Sequence, residues 1–238
     1  MIFSDIHQHA LYGCDDGAST KDEMLRIVDA AYADGTRYLC LTPHFHPKYY
    51  GDNRAQSDVA FAELRDYCGE KYPDLVLAIG NELHYDLNFA SWITEGRCRT
   101  LGGTDFVLID FSYTVKKKVI ENALNQLMNA GYAPVLAHAE RYVHLRGEWR
   151  LIDSLRARGA LIQLDAQSLF GESGMAVKRF SHGLLRRRMI DFVSSDAHGV
   201  DSRPPELSRA YEVIARRHSR EYADIICLEN AKRLVFTR

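Results

Sequence analysis

Apolar residues in this chain gather in short runs, each closed by a polar or charged residue. Between the runs lie longer segments whose apolar positions recur every three or four residues. The runs span Ile2 to His7, Arg37 to Thr42, Leu75 to Ile79, Phe106 to Ile109, Pro134 to Ala137, Ala160 to Leu164 and Ile190 to Val193. Lacking polar alternation, they predict strands of a parallel sheet covered on both faces. The first helix is predicted from an N-cap at Ser19 or Thr20. Glu23 completes a capping box with Thr20, Met24, Ile27, Val28 and Ala31 share one face, and Gly35 marks the stop. Further helices are predicted over Gln56 to Lys71, Val119 to Ala130, Trp149 to Arg158, Phe180 to Arg188, Glu206 to Arg217 and Asn230 to Val235. The stretch around Gly171 and Gly174 has neither period. Seven strand–helix units without linker, repeat or low-complexity break predict an α/β chain folded as one barrel-like domain over residues 1–238.

Composition narrows the picture a little. An apolar fraction of 46% is ample for a large core. A net charge of −2 gives no electrostatic reason to expect nucleic acid or an anionic membrane as the main partner. No run approaches the roughly 18 apolar residues of a membrane span, and the N-terminus lacks the basic and apolar regions of a leader. Five scattered cysteines without a C-x-x-C pair fit a reducing compartment, so a cytoplasmic protein is expected.

The strand ends carry the chemistry. His7, His44, Glu82, Asp110, His138 and Asp196 all fall at or just past the C-terminal ends of predicted strands, the face on which (β/α) barrels build active sites. His7 and His9, and likewise Asp196 and His198, are two apart, so in extended backbone each pair points one way. One histidine near a strand end is ordinarily a hydrogen-bonded structural residue. Several of them with carboxylates on one face predict a site of several divalent ions, such as Mn, Fe or Zn. Carboxylates bridging such ions let them share and activate a water.

Asp5-Ile6-His7-Gln8-His9, Asp15-Asp16-Gly17, Thr42-Pro43-His44, Gly80-Asn81-Glu82, Ala137-His138-Ala139-Glu140-Arg141-Tyr142 and Ser195-Asp196-Ala197-His198 resemble the PHP (polymerase and histidinol phosphatase) superfamily. Within it they are most similar to the manganese-dependent tyrosine-protein phosphatases of bacterial capsule and exopolysaccharide operons. The resemblance runs from about residue 3 to about residue 235. It implies a distorted (β/α)7 TIM-like barrel holding three divalent ions, Mn2+ foremost. By that resemblance His7, His9, Glu82 and Asp196 hold one ion, Glu82, Asp110 and His138 a second, and Asp16, His44 and His198 a third. Position 110 departs from the pattern, because this branch usually has glutamate there. Aspartate is one methylene shorter, so the second ion is expected to shift, bind more weakly or rely on water.

Arg141 follows the His138 motif and Arg203 follows His198, which places two guanidinium groups where a phosphate needs bidentate, charge-assisted bonds. The expected reaction is in-line attack of a metal-bound hydroxide on phosphorus, with both arginines on the equatorial oxygens. The resemblance implies a phosphotyrosine protein as partner, the tail of a tyrosine autokinase controlling polysaccharide export, and homo-oligomers as in related proteins. His46, Glu140 and His84 are candidates for orienting the ligands. Tyr12, Phe45, Tyr49, Tyr50, Tyr113 and Phe170 are candidates for packing on a substrate ring. Cys227 and Arg233 have the spacing of a thiolate phosphatase loop, but the intervening Leu-Glu-Asn-Ala-Lys lacks glycine and reads as helix, so the match is coincidental. The competing readings are a histidinol-phosphatase-type small-molecule phosphoesterase, a nuclease-like relative, and a metal-stabilised regulatory module without turnover.

Overall fold

The computed structural model describes residues 1–237. Each apolar run becomes a parallel strand. A three-stranded sheet of order β1-β2-β4 is formed by β1 (Phe3–Asp5), β2 (Thr36–Leu41) and β4 (Val76–Ile79). A six-stranded sheet follows in the order β3-β5-β6-β7-β8-β9. Its strands are β3 (His44–Phe45), β5 (Glu82–His84), β6 (Phe106–Asp110), β7 (Ala133–Leu136), β8 (Leu161–Asp165) and β9 (Phe192–Ser194).

The two sheets meet where two strands break and resume. Pro43 has no N–H to give a ladder, so β2 stops before it and β3 restarts beyond it. Gly80-Asn81 interrupts the partner strand in the same way. The Asn81 amide spans the gap, donating to the Pro43 carbonyl at 3.0 Å and accepting from Arg99 N at 2.8 Å. The first and last strands are joined past their ends: Asp196 N donates to His7 O at 2.9 Å and His9 N to Ala197 O at 2.9 Å. The result is an α/β fold with a curled parallel sheet. Ile6, Cys40, Leu108, Val135 and Phe192 point into the curl, where Ala231 and Val235 of the C-terminal helix pack against them. Their neighbours in the strands, Leu39, Leu41, Val107, Ile109, Leu136 and Val193, face the outer helices.

Those helices are α1 (Lys21–Asp34), α2 (Arg54–Lys71), α3 (Phe89–Thr94), α4 (Lys117–Asn129), α5 (Trp149–Ala157), α6 (Met175–Arg186), α7 (Leu207–Arg217) and α8 (Arg220–Asp224). The Thr20–Glu23 capping box forms, and Gly35 ends α1 at φ 115°, a conformation that glycine adopts without strain. Three sequence expectations need correction. The short α3 was not anticipated. Helix α6 begins at Met175 rather than Phe180, immediately after Gly174. The last helix begins at Arg220 rather than Asn230, capped by the Ser219 hydroxyl, and continues with π-helical turns at Ile225–Glu229 and Lys232–Phe236. No helix among the described residues is long and apolar enough to cross a membrane.

Candidate metal centre

The break in β2 and its partner puts His44 and Glu82 directly opposite each other in the β3–β5 register. The joined first and last strands bring His7 and His9 beside Asp196. Four donor atoms consequently converge. His7 Nε2 and His9 Nε2 are 3.1 Å apart. Glu82 Oε2 lies 3.2 and 3.3 Å from them, and Asp196 Oδ1 lies 3.4 Å from each. Ligands about 2.1 Å from one ion at octahedral or tetrahedral angles are about 3.0–3.4 Å apart, so these are the separations of a coordination shell.

The rings are oriented for it. His9 Nδ1 lies 2.7 Å from Asp15 Oδ2, and His7 Nδ1 3.3 Å from Gln163 Oε1. The Gln163 amide is fixed because its Oε1 accepts from His138 N at 2.6 Å while its Nε2 donates to Asp165 Oδ1 at 2.9 Å. His198 Nδ1 faces the Asp196 carbonyl at 2.9 Å. Each Nδ1 thus meets an oxygen that can only accept, which leaves the Nε2 lone pair pointing into the centre. Glu82 Oε2 is buried and has three imidazole nitrogens around it, the third being His44 Nδ1 at 2.8 Å, yet none makes a hydrogen bond to it. Imidazoles and carboxylates crowded in this way share a proton or a metal ion among their lone pairs, and the spacing fits an ion.

Two further groups adjoin the first. Asp16 Oδ1 stands 3.5 Å from both His44 Nε2 and His198 Nε2, and His9 completes a four-residue cluster with them. His44, Glu82 and Asp110 form the other, in which Asp110 also accepts from His84 Nδ1 at 2.9 and 3.0 Å. His138 Nε2 bonds Glu82 Oε1 at 2.9 Å. All nine residues expected to hold metal therefore meet in one region, and Glu82 is the hub.

Charge sharpens the point. Burial pulls the His138 imidazole down, but its bond to Glu82 and that carboxylate's charge raise it to about 9. Burial likewise opposes a charge on His9, and Asp15 outweighs it, holding His9 well above the ordinary imidazole range. Such carboxylates attract a proton or a metal ion to the same lone pairs. Asp16, Glu82, Asp110 and Asp196 outnumber Arg141 and Arg203 in the lining of the adjoining cavity of about 390 Å³. Divalent ions held there would add positive charge toward a phosphate dianion.

Local backbone serves this arrangement. Gly17 has no room for a side chain, since a Cβ there would lie 2.0 Å from the His9 carbonyl oxygen. Of four non-glycine residues with positive φ among the described residues, His138 (32°), Asp196 (51°) and Arg203 (54°) belong to the centre, where strain that the surrounding fold overcomes is commonly held. Asp196 Oδ2 accepts from Arg203 Nη2 and lies 3.4 Å from Arg141 Nη1. Arg141 also meets Asp165 Oδ2 at 2.7 Å and the Tyr113 hydroxyl at 2.9 Å. One carboxylate thus faces the imidazoles with one oxygen and both arginines with the other.

Sequence reasoning missed Gln163 as an orienting residue, and it singled out Asp15 only within a motif. A lone glutamine in an apolar strand run is a detectable but weak signal. Of the aromatic candidates, Tyr50 and Tyr113 line the cavity. Phe45 is instead buried against Trp92, Tyr12 bonds Glu63, Tyr49 stacks on His46, and Phe170 lies under Arg209. Of the orienting candidates, His84 holds Asp110 and buried Glu140 accepts from Asp165 N at 3.2 Å, whereas His46 faces Asp86. Cys227 is fully buried and burial pushes its thiol up, so it offers no thiolate.

Known proteins are similar to this chain over nearly its whole length. The chain is 28% identical over 236 residues to the tyrosine-protein phosphatase CpsB of Streptococcus pneumoniae, covering 97% of each. It is 29% identical to the tyrosine-protein phosphatase YwqE of Bacillus subtilis, covering 97% of this chain and 91% of that one. A crystal structure from work on YwqE and CpsB, described as unique metal-dependent tyrosine phosphatases, superimposes with a TM-score of 0.84 at 30% identity over 94% of this chain and 90% of that chain. A structure described as a candidate histidinol phosphatase, hisK of Listeria monocytogenes, shares the fold at 12% identity, with a TM-score of 0.52 over 88% of this chain and 99% of that chain. The family model for capsular polysaccharide synthesis, CpsB/CapC, matches residues 3–236, and the chain belongs to that family.

Proposed function

We propose that this chain is a metal-dependent phosphatase that hydrolyses phosphotyrosine in a protein substrate, in the service of capsule or exopolysaccharide synthesis. The observation that carries the reading is the convergence of imidazole and carboxylate donors at coordination-shell spacing beside two arginines that share Asp196. His7, His9, Glu82 and Asp196 hold one ion, Glu82, Asp110 and His138 a second, and Asp16, His44 and His198 a third, with Mn2+ the expected metal and Fe or Zn the alternatives. Bound there, divalent ions supply a nucleophilic water at neutral pH and offset the charge of the phosphate.

The residues divide the remaining work. Arg141 and Arg203 point their guanidinium forks at the phosphate oxygens, gripping two directions that a lysine's single charge would not. Tyr113 and Tyr50 flank the ring of the leaving phenol. That phenol, with a pKa of about 10, departs with less protonation than an alkyl alcohol needs. Gln163 and Asp15 hold His7 and His9 in register. The broken strands count as continuous staves in this reading, which gives a single-domain, distorted (β/α)7 barrel of the PHP type closed by the His9–Ala197 pairing. A cytoplasmic tyrosine autokinase tail is the proposed partner, and a homo-oligomer the proposed state.

The test offers manganese-loaded protein a phosphotyrosine peptide, histidinol phosphate and a phosphodiester in parallel, with elemental analysis of bound metal. Release from the phosphotyrosine peptide alone is expected. Rapid turnover of histidinol phosphate with none of the peptide would replace this reading with a small-molecule one.

A further inference from the structure

A second and larger depression, about 870 Å³, opens directly from the cavity lined by the candidate metal ligands: Tyr113, Arg141 and Arg203 form part of both walls. It is too large for a phenyl ring and lies where the rest of a bound polypeptide must run. Its walls include Val143, which is 43% exposed and gives apolar surface for an extended chain.

The charges in this groove are unevenly matched. Arg209 is neutralised, lying 3.6 Å from Glu172 and 3.8 Å from Glu206, with its guanidinium stacked 3.7 Å over Phe170. Asp201 is turned toward Arg26 at 3.9 Å. Arg141 and Arg203 are held by Asp165 and Asp196. Arg146 alone among the groove's arginines is in no ion pair among the described residues, and its Nε is buried without a hydrogen-bond partner. It sits one short turn beyond Arg141, at the end of the segment Val143–Leu145. A buried Nε–H without an acceptor is costly in the free protein, and an anion that takes the guanidinium edge would satisfy it.

We propose that this groove holds the chain flanking the target phosphotyrosine and that Arg146 selects an aspartate or glutamate in it. The inference rests on the phosphotyrosine reading of the adjoining cavity. It makes Arg146 a specificity residue: it touches the flanking peptide and none of the reacting atoms.

The experiment compares matched phosphotyrosine peptides carrying Glu, Ala or Lys at each of the three positions on either side, together with p-nitrophenyl phosphate. The manganese-loaded enzyme is assayed as wild type, Arg146→Ala and Arg146→Glu. In the wild type, Glu at one position lowers KM about tenfold relative to Lys, the scale of one charge-assisted bond. Arg146→Ala removes most of that difference through KM with kcat kept. Arg146→Glu inverts it in favour of Lys, a gain that misfolding cannot mimic. Turnover of p-nitrophenyl phosphate is the same in all three. A wild type indifferent to flanking charge, or an Arg146→Glu enzyme that still prefers Glu, overturns the proposal and leaves the phosphotyrosine reading standing. Turnover of p-nitrophenyl phosphate without turnover of any peptide overturns both.

Discussion

Replacing Gln163 with leucine keeps the volume of a fully buried side chain and removes its amide. Three polar groups lose a partner at once: the His138 backbone N–H (2.6 Å), the His7 Nδ1–H (3.3 Å) and one oxygen of Asp165 (2.9 Å). An unsatisfied buried group costs about 1–3 kcal/mol, and the 3.3 Å contact is the weakest of the three, so a loss of about 3–4 kcal/mol is expected. For 238 residues the unfolding entropy near the midpoint is about 0.5 kcal/mol per degree, which converts the loss to a fall in Tm of about 6–8 °C. The functional effect should be larger than the stability effect suggests. His7 would be free to turn over or to exchange tautomers, and loss of such a supporting bond typically weakens metal binding about 10–100-fold. Calorimetric melting of the metal-free protein gives the first number and a competition titration against a metal indicator gives the second. Gln163→Leu protein with unchanged manganese affinity would refute the claim that this amide sets the His7 ring, whatever happens to Tm.

Four further outcomes are expected. Gly17→Ala forces a Cβ into the His9 carbonyl, so the variant should lose more than about 2 kcal/mol in denaturant unfolding together with much of its metal. Asp110→Glu restores the methylene and should raise the bound metal count or tighten the weakest ion, read by elemental analysis after dialysis; an unchanged count and affinity would argue that Asp110 serves only His84. In metal-free protein His138 is raised to about 9 and His9 well above its ordinary value, so near neutral pH both hold a proton that metal must displace. Apparent affinity should therefore rise with pH below about 9, about tenfold per unit for each proton displaced, and loading in weak buffer should acidify the solution. Cys227→Ser should leave phosphatase activity intact while a chelator abolishes it; loss of turnover in a folded Cys227→Ser protein would overturn metal-based chemistry.

The site was far more legible in the sequence than its supports were. Histidines and carboxylates stand out when each closes an apolar run, because a buried strand end is a costly place for a charge without a task. Gln163 and Asp15 act through single hydrogen bonds to ligand rings, and a neutral amide or a second aspartate beside Asp16 gives no comparable contrast. Strand breaks were invisible for another reason. Pro43 and Gly80 read as strand ends, and only pairing shows the chain resuming in line, which is what sets His44 opposite Glu82. The last helix was misjudged at its start because Tyr222, Ile226, Ala231 and Val235 recur at four or five residues. Its π-helical turns account for that spacing, which falls between the periods used to recognise a helix.

The joining of the first and last strands has a consequence for how this protein comes into being. The Ser195 hydroxyl donates to Asp5 across 190 residues at 2.5 Å, and Asp196 and His198 stand as far along the chain from His7 and His9. Contacts of such sequence separation are closed late, after the loop entropy of the intervening units has been overcome. Residues 1–196 must have left the ribosome before the first-ion group can form, and an ion bound there ties the first strand to the last. Metal capture at the first-ion group thereby reports that the chain has been made as far as Asp196, and a chain that stops short of that residue cannot assemble the group.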